Sequence, residues 1–248
     1  MKTIFLPGVD SAYVLERLQN AGGNEIASGK LAHPESSAAL AVNVFGWFIG
    51  RPGLLPPLPG MRPSVPAERV EVEYCARFPW EHGRHPWLDA FVETDREIVG
   101  VESKRFEPYR DHKPVTLSRA YNLKVWGTNM APFEAMRDAL RSGRETFALL
   151  DATQLVKHAF GLVTEGKRTN KVPSLVYLHA EPATLGGKPI PAAAHSRHRE
   201  EIARFAAAVQ GAEVAFHSLS YREWLATWPA PPDERGAHAR AVIDSFTP

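Results

Sequence analysis

One cysteine, Cys75, stands in a chain of 248 residues. That count excludes disulfide scaffolding and zinc sites built on cysteine, and Cys75 sits in an apolar, strand-like run that suits a core thiol. Charge of one sign is also scarce. Lys plus Arg number 29 and Asp plus Glu 28, for a net charge of +1. A protein that coats nucleic acid non-specifically is usually far more basic, so nucleic-acid contact here requires a local basic patch. No apolar run approaches the length of a membrane span. The opening MKTIFLPGVD holds too short an apolar stretch for a signal peptide. A soluble, cytoplasmic protein without membrane association is expected. No Gly-x-Ser-x-Gly elbow exists, so a serine-hydrolase triad has no local support. Neither a Gly/Ser linker nor a charge block divides the chain. With 44% hydrophobic residues it can bury a real core, and a single domain over 1–248 is expected.

What is present centres on Trp87 to Lys104, WLDAFVETDREIVGVESK. It reads as two β-strands joined by the polar link Thr94-Asp95-Arg96-Glu97. The link lacks the Asn-Gly or Asp-Gly pair that marks the tightest hairpins. Strand alternation puts Glu102 and Lys104 on one face. On the first strand it puts Asp89 with Trp87 and Phe91, and Leu88 with Ala90 and Val92. Neighbouring strands lie roughly 4.8 Å apart, so Asp89 and Glu102 can reach one small cation if the register brings them together.

Around this hairpin, Thr3–Leu6 reads as a short strand and Ala12–Leu18 as a helix. GGNEIASGKL suggests a phosphate loop but fails its spacing: five residues separate Gly23 from Gly29, and Leu31 follows Lys30. Glu25 and Lys30 remain as polar residues beside glycine turns. Residues 34–50 predict a helix buried nearly all round, with Asn43 needing a hydrogen-bond partner. A connection dense in proline and glycine follows, then a strand over 69–78. Helices are predicted over 133–141, 146–162, 196–209, 221–228 and 233–246, and strands over 174–179 and 213–217. The apolar SLVYLH suits a central strand with both faces covered. The class is α/β with a mixed sheet flanked by helices.

An Asp on one strand and Glu-x-Lys on the next is what metal-dependent phosphodiester hydrolysis requires. Carboxylates are hard ligands for Mg²⁺, and the Ser103 carbonyl can add a third. The Lys ammonium can orient water or stabilise developing charge. The order α-β-β-β-α-β carrying Asp89 and then Glu102-Ser103-Lys104 resembles the PD-(D/E)XK nuclease superfamily, of restriction-endonuclease-like fold. Twelve residues separate Asp89 from Glu102, and Leu88 stands where the family name has Pro. The resemblance covers roughly 34–182. It implies Mg²⁺, or Mn²⁺ in its place, held by Asp89, Glu102 and Ser103, with Lys104 activating water. It also implies supporting roles for an acidic residue on the preceding helix, Glu35 or else Glu25, and for Gln154 on the following one.

Other readings stay open. Glu102 and Lys104 can equally form a plain ion pair. Gln154 and Lys157 can share a helix face toward the site. The stretch from Lys104 to Lys124 carries Arg105, Tyr109, Arg110 and Lys113 as candidates to grip substrate. Phe106, His112, Tyr121 and Trp126 are interleaved to stack bases; an ordinary solvated loop is the alternative. His82 and His85 suggest a zinc hydrolase site without a third histidine. The expected partner is nucleic acid, DNA in preference to RNA. A non-catalytic binding protein on the same fold is the alternative, and the sequence sets no oligomeric state.

Overall fold

A computed structural model describes residues 4–21, 25–80, 83–111 and 113–248. The elements in chain order are α1 (Ser11–Asn20), α2 (Ser37–Gly46), β1 (Arg69–Cys75), β2 (Trp87–Glu93), β3 (Glu97–Lys104), α3 (Glu107–Arg110), α4 (Ala131–Ser142), α5 (Ala152–Thr169), β4 (Val172–His179), the small hairpin β5 (Thr184–Leu185) and β6 (Lys188–Pro189), α6 (Ala192–Ala208), β7 (Ala215–Ser220), α7 (Tyr221–Ala226) and α8 (Glu234–Phe246). The main sheet is five-stranded in the order β1-β2-β3-β4-β7. β1, β2 and β3 pair antiparallel; β3, β4 and β7 pair parallel. This is the mixed sheet and α-β-β-β-α-β order of a restriction-endonuclease-like core, running α2-β1-β2-β3-α5-β4.

Two apolar layers hold the sheet. On one side Val72, Ala90, Val101, Val176 and Leu178 meet Leu40 and Phe45 of α2, Trp224 of α7 and Val242 of α8. On the other, Ile98, Leu175 and Tyr177 meet Leu155, Ala159 and Leu162 of α5 and Phe205 of α6. β4 contributes to both layers and is buried from Pro173 to His179, as its continuous apolar run predicts. No helix among the described residues is long and apolar enough to cross a membrane.

The hairpin closes without Asn-Gly because a side chain substitutes for the turn. The Thr94 and Glu97 backbones bond to each other at 2.9 Å, and Glu97 N–H also donates to Thr94 Oγ1 at 2.9 Å. Arg62 clamps the turn from outside through Glu97 Oε1 at 2.5 Å and through Asp95.

Several predicted boundaries move for identifiable reasons. Residues 4–6 are not a strand: Leu6 N–H donates to Asn43 Oδ1 at 2.6 Å, and Asn43 Nδ2 donates to the Ile4 carbonyl at 3.0 Å. The Asn43 side chain thereby gains its partners by holding the segment before α1; Thr3 lies outside the described residues. α2 starts at Ser37 rather than Pro34, because Ser36 Oγ caps Ala39 N–H at 3.0 Å. α5 covers 152–169 rather than 146–162. Glu201 of α6 accepts from Ala148, Leu149 and Leu150 N–H at 3.1, 2.8 and 3.0 Å, which holds that stretch out of the helix. Asp151 then caps α5 by accepting from Gln154 N–H at 2.9 Å.

Strict alternation fails at one place. Leu88 packs with Phe91 and Tyr74 on the α5 side, whereas Ala90, Val92 and Val72 pack on the α2 side. Both strands exchange faces between the pairs Val72↔Ala90 and Tyr74↔Leu88. Glu73 lies between them with φ of 50°, a left-handed conformation that non-glycine residues rarely adopt. The predicted grouping of Leu88 with Ala90 and Val92 is corrected accordingly.

Candidate active site

The exchange of faces sits beside the predicted catalytic corner. The β2–β3 ladder runs to Ala90↔Val101. One step further, the same register sets Asp89 beside Glu102. Ser103 N–H donates to Asp89 Oδ2 at 2.6 Å, fixing the Asp89 carboxylate at the end of the ladder. Parallel pairing of Glu102 with Tyr177 and of Lys104 with His179 holds β3 firmly on its other side.

A cleft of about 640 Å³ opens at this end of the sheet. Asp89, Ser103 and Lys104 line it, and so do Glu25, Glu35 and Gln154. These six residues, all singled out from sequence, are thus brought to one concavity, although they come from a turn, a segment before α2, two strands and α5. Glu102 is not on the cleft wall. It is 1% exposed, and its two oxygens face Lys104 Nζ and, at 2.7 Å, His158 Nε2 of α5.

The charges are strongly coupled. Burial raises the Asp89 carboxyl well above its usual range; the Glu102 and Glu73 charges add to this, against Lys104 and the Ser103 N–H. Glu102 is held low, to about 2: burial opposes its charge, but Lys104 and His158 outweigh burial. Burial opposes the Lys104 ammonium too, but Glu102, Asp89 and Glu107 hold it charged, well above the usual lysine range. The corner therefore contains one firm carboxylate, one firm ammonium, and a second carboxyl that resists ionisation.

The structure adds residues the sequence reading missed. Glu73 lines the cleft, and its carboxyl is pushed up to about 7 by burial, Glu25 and Glu102. In the sequence it is one more polar residue of an alternating strand; only its positive φ aims it inward. Glu107 also lines the cleft, but accepts from Ser37 Oγ and from Arg105 and Phe106 N–H, each at 3.1 Å for the backbone donors, so it organises the turn after β3. His158 follows Gln154 by one helical turn, and that spacing was the available signal.

The supporting residues are placed as follows. Glu35 accepts from Gly186 N–H at 2.8 Å and lies 3.5 Å from Arg110, so it stands at the cleft rim in two contacts. Arg110 lines the cleft as well. Lys157 is outside it and donates to Thr116 Oγ1 at 2.8 Å in an adjoining cavity, with Gln154 lining both. Arg105 is turned away. Its guanidinium donates to the Pro34 carbonyl at 2.8 Å and to the Phe246 carbonyl and stacks over Phe106, which commits it to tying down the C-terminal helix rather than to substrate. Lys113 Nζ is likewise spent on the Glu107 and Asp111 carbonyls, at 2.6 and 2.7 Å. Tyr109 OH pairs with His195 Nδ1 at 2.8 Å. Phe106, Tyr121 and Trp126 are buried in the core and cannot stack bases. His112 and His82 lie outside the described residues. His85 Nδ1 accepts from Phe78 N–H at 3.1 Å, a loop-stabilising contact.

Among the described residues no three His, Cys, Asp or Glu side chains form a ready-made metal cluster. The donor chemistry still suits a hard divalent cation. Asp89 is half-buried on the cleft wall and Glu102 is buried; burial and then the Glu102 charge raise Asp89, and a cation between the two carboxylates relieves their repulsion.

A family model described as restriction endonuclease associating with ARP matches residues 6–234. No curated protein and no solved structure matches the chain.

Proposed function

Because the chain belongs to the family of restriction endonucleases associating with ARP, we propose that it hydrolyses phosphodiester bonds in nucleic acid, with Asp89, Glu102 and Lys104 as a PD-(D/E)XK site. The observation that carries this reading is the convergence of Asp89, Ser103 and Lys104 on one polar cleft, with Glu102 bound to Lys104 behind them. Asp89 and Glu102 are the residues to hold Mg²⁺, or Mn²⁺ in its place, with the Ser103 carbonyl as a further oxygen donor. The ion, when bound, supplies Lewis acidity and neutralises phosphate charge. In hydrolysis, a water oxygen bonds to phosphorus and a P–O ester bond breaks, leaving a phosphate monoester and an alcohol.

The chain's own residues set up that exchange. Lys104 stays protonated and can orient the water or balance charge on the phosphate oxygens. His158 and Lys104 together hold the Glu102 carboxylate still. Gln154 stands at the cleft on the first turn of α5, and Glu25, Glu35 and Glu73 line it as well. DNA is preferred to RNA as the substrate.

The test is incubation with single- and double-stranded DNA and RNA, with Mg²⁺ or Mn²⁺ and then with chelator. Metal-dependent cleavage that Lys104→Ala abolishes without unfolding supports the reading; cleavage retained by Lys104→Ala removes Lys104 from the mechanism.

A second reading has one observation in its favour. The Glu102 carboxylate already faces Lys104 and His158, and Asp89 Oδ2 accepts from Ser103 N–H. Such a corner can serve as a structural knot in a non-catalytic protein that binds nucleic acid or the ARP partner of the family description. Binding without cleavage under any of the metal conditions supports that alternative.

A further inference from the structure

A second cavity of about 300 Å³ adjoins the catalytic cleft, and the two share Trp87 and Gln154. We propose that this second cavity is a subsite for one unpaired nucleotide of a single DNA strand, with its base on Trp87 and its phosphate at Lys157. The inference rests on the nuclease reading for its substrate class and extends it to a site beyond the catalytic corner.

The walls have the chemistry of a base pocket. Pro86, Trp87 and Pro114 offer flat apolar surface on one part, while Thr116, Gln154 and Lys157 offer donors and acceptors on another. Trp87 is the notable member. The other tryptophans, at 47, 80, 126, 224 and 228, all stack or edge onto another ring. Trp87 makes no ring contact among the described residues, though it is half-buried and lines both cavities. An indole without a ring partner that lines both cavities is suited to stack a base, and stacking is tolerant of base identity.

Lys157 supplies the second observation. The residue is half-buried, and among the described residues its ammonium's hydrogen-bond partner is a neutral hydroxyl, Thr116 Oγ1. Burial lowers its pKa, with Asp151 only partly offsetting this. An ammonium that, among the described residues, has no carboxylate ion pair can turn its charge to a phosphate. The cavity volume is at the lower end of small-ligand pockets, which fits one nucleotide and excludes a duplex.

The experiment is an abasic scan read by equilibrium binding. Fluorescently labelled single-stranded thymidine oligonucleotides, each with one abasic nucleotide stepped along the strand, are titrated with the protein in chelator so that nothing is cut. One position is expected to stand out in the wild type, with affinity falling about tenfold. Trp87→Ala should erase that position and Trp87→Phe should keep it. Should Trp87→Ala fail to fold, Lys157→Gln carries the test: it should weaken binding evenly and reduce the salt slope by about 1. The proposal is overturned if no position stands out, if Trp87→Ala keeps the same profile, or if Lys157→Gln leaves affinity and salt slope unchanged. Failure of the nuclease reading shows separately, as absence of cutting with Mg²⁺ or Mn²⁺ while the abasic profile persists.

Discussion

Glu102 Oε2 lies 2.7 Å from His158 Nε2, joining the central strand β3 to helix α5 through two side chains that are almost wholly buried. Removing the imidazole leaves the carboxylate with Lys104 alone and free to rotate. His158→Ala is expected to raise the Mg²⁺ concentration for half-maximal cleavage by about 10- to 100-fold, the usual effect of losing a residue that orients a metal ligand. A metal titration of cleavage rate checks it. An unchanged Mg²⁺ requirement in a folded His158→Ala protein would show that Glu102 needs no such support.

Asp89 gives a prediction of opposite signs for stability and activity. Its carboxyl resists ionisation because of burial and the Glu102 charge. Asp89→Asn keeps the size, offers an oxygen to Ser103 N–H and removes the repulsion. Without metal the variant should melt at the same or a higher temperature than wild type, while cleavage is lost. Mg²⁺ should raise the wild-type melting temperature by mass action and leave the variant's unchanged. A lower melting temperature in chelator would contradict the repulsion argument.

Glu201 carries the segment before α5. Its carboxylate, 6% exposed, accepts three backbone N–H groups. Glu201→Ala should destabilise by about 2–4 kcal/mol, since hydrogen bonds to a charged acceptor contribute most and the Leu150 donor is left buried. Chemical denaturation measures this. A loss under about 0.5 kcal/mol, the level of an ordinary surface change, would assign the segment's conformation to other contacts.

The imidazole of His238, on α8, stacks on Trp47 at 4.9 Å and bonds the Asn43 carbonyl at 3.1 Å. Burial pulls its pKa down to about 4, against the raising effect of the backbone bonds to Val44 and Asn43. The unfolded chain protonates near 6.5 and the folded one near 4, so the unfolded state binds the extra proton between those values. The stability contribution is therefore complete above about pH 6.5 and lost as pH falls toward about 4, a change on the order of 3 kcal/mol. His238→Gln should flatten that part of the stability–pH curve; an equal slope in both proteins would place the titration elsewhere.

The sheet was legible because its signals are local. Alternation marks β1, the apolar SLVYLH marks β4 as central, and the polar link after Glu93 marks the hairpin. Asp89 and Glu102-Ser103-Lys104 were readable for the same reason: two residues apart on one strand must share a face, unless the backbone reverses. The reversal at Glu73 could not be read, since nothing in VEVEYC departs from alternation. The α5 boundary was equally hidden, because its start depends on Glu201, some fifty positions away.

By itself, then, the amino-acid order determined the strands, the buried helix before them and the Asp and Glu-x-Lys on neighbouring strands, all consequences of short-range periodicity. Tertiary structure alone decided which charges meet. It put Glu102 between Lys104 and His158, turned Arg105 and Lys113 toward backbone carbonyls, and brought Glu25, Glu35 and Gln154 to the cleft with Asp89. The physical reason is that a buried charge must find its partner wherever the packed layers offer one, and that partner lies far along the chain.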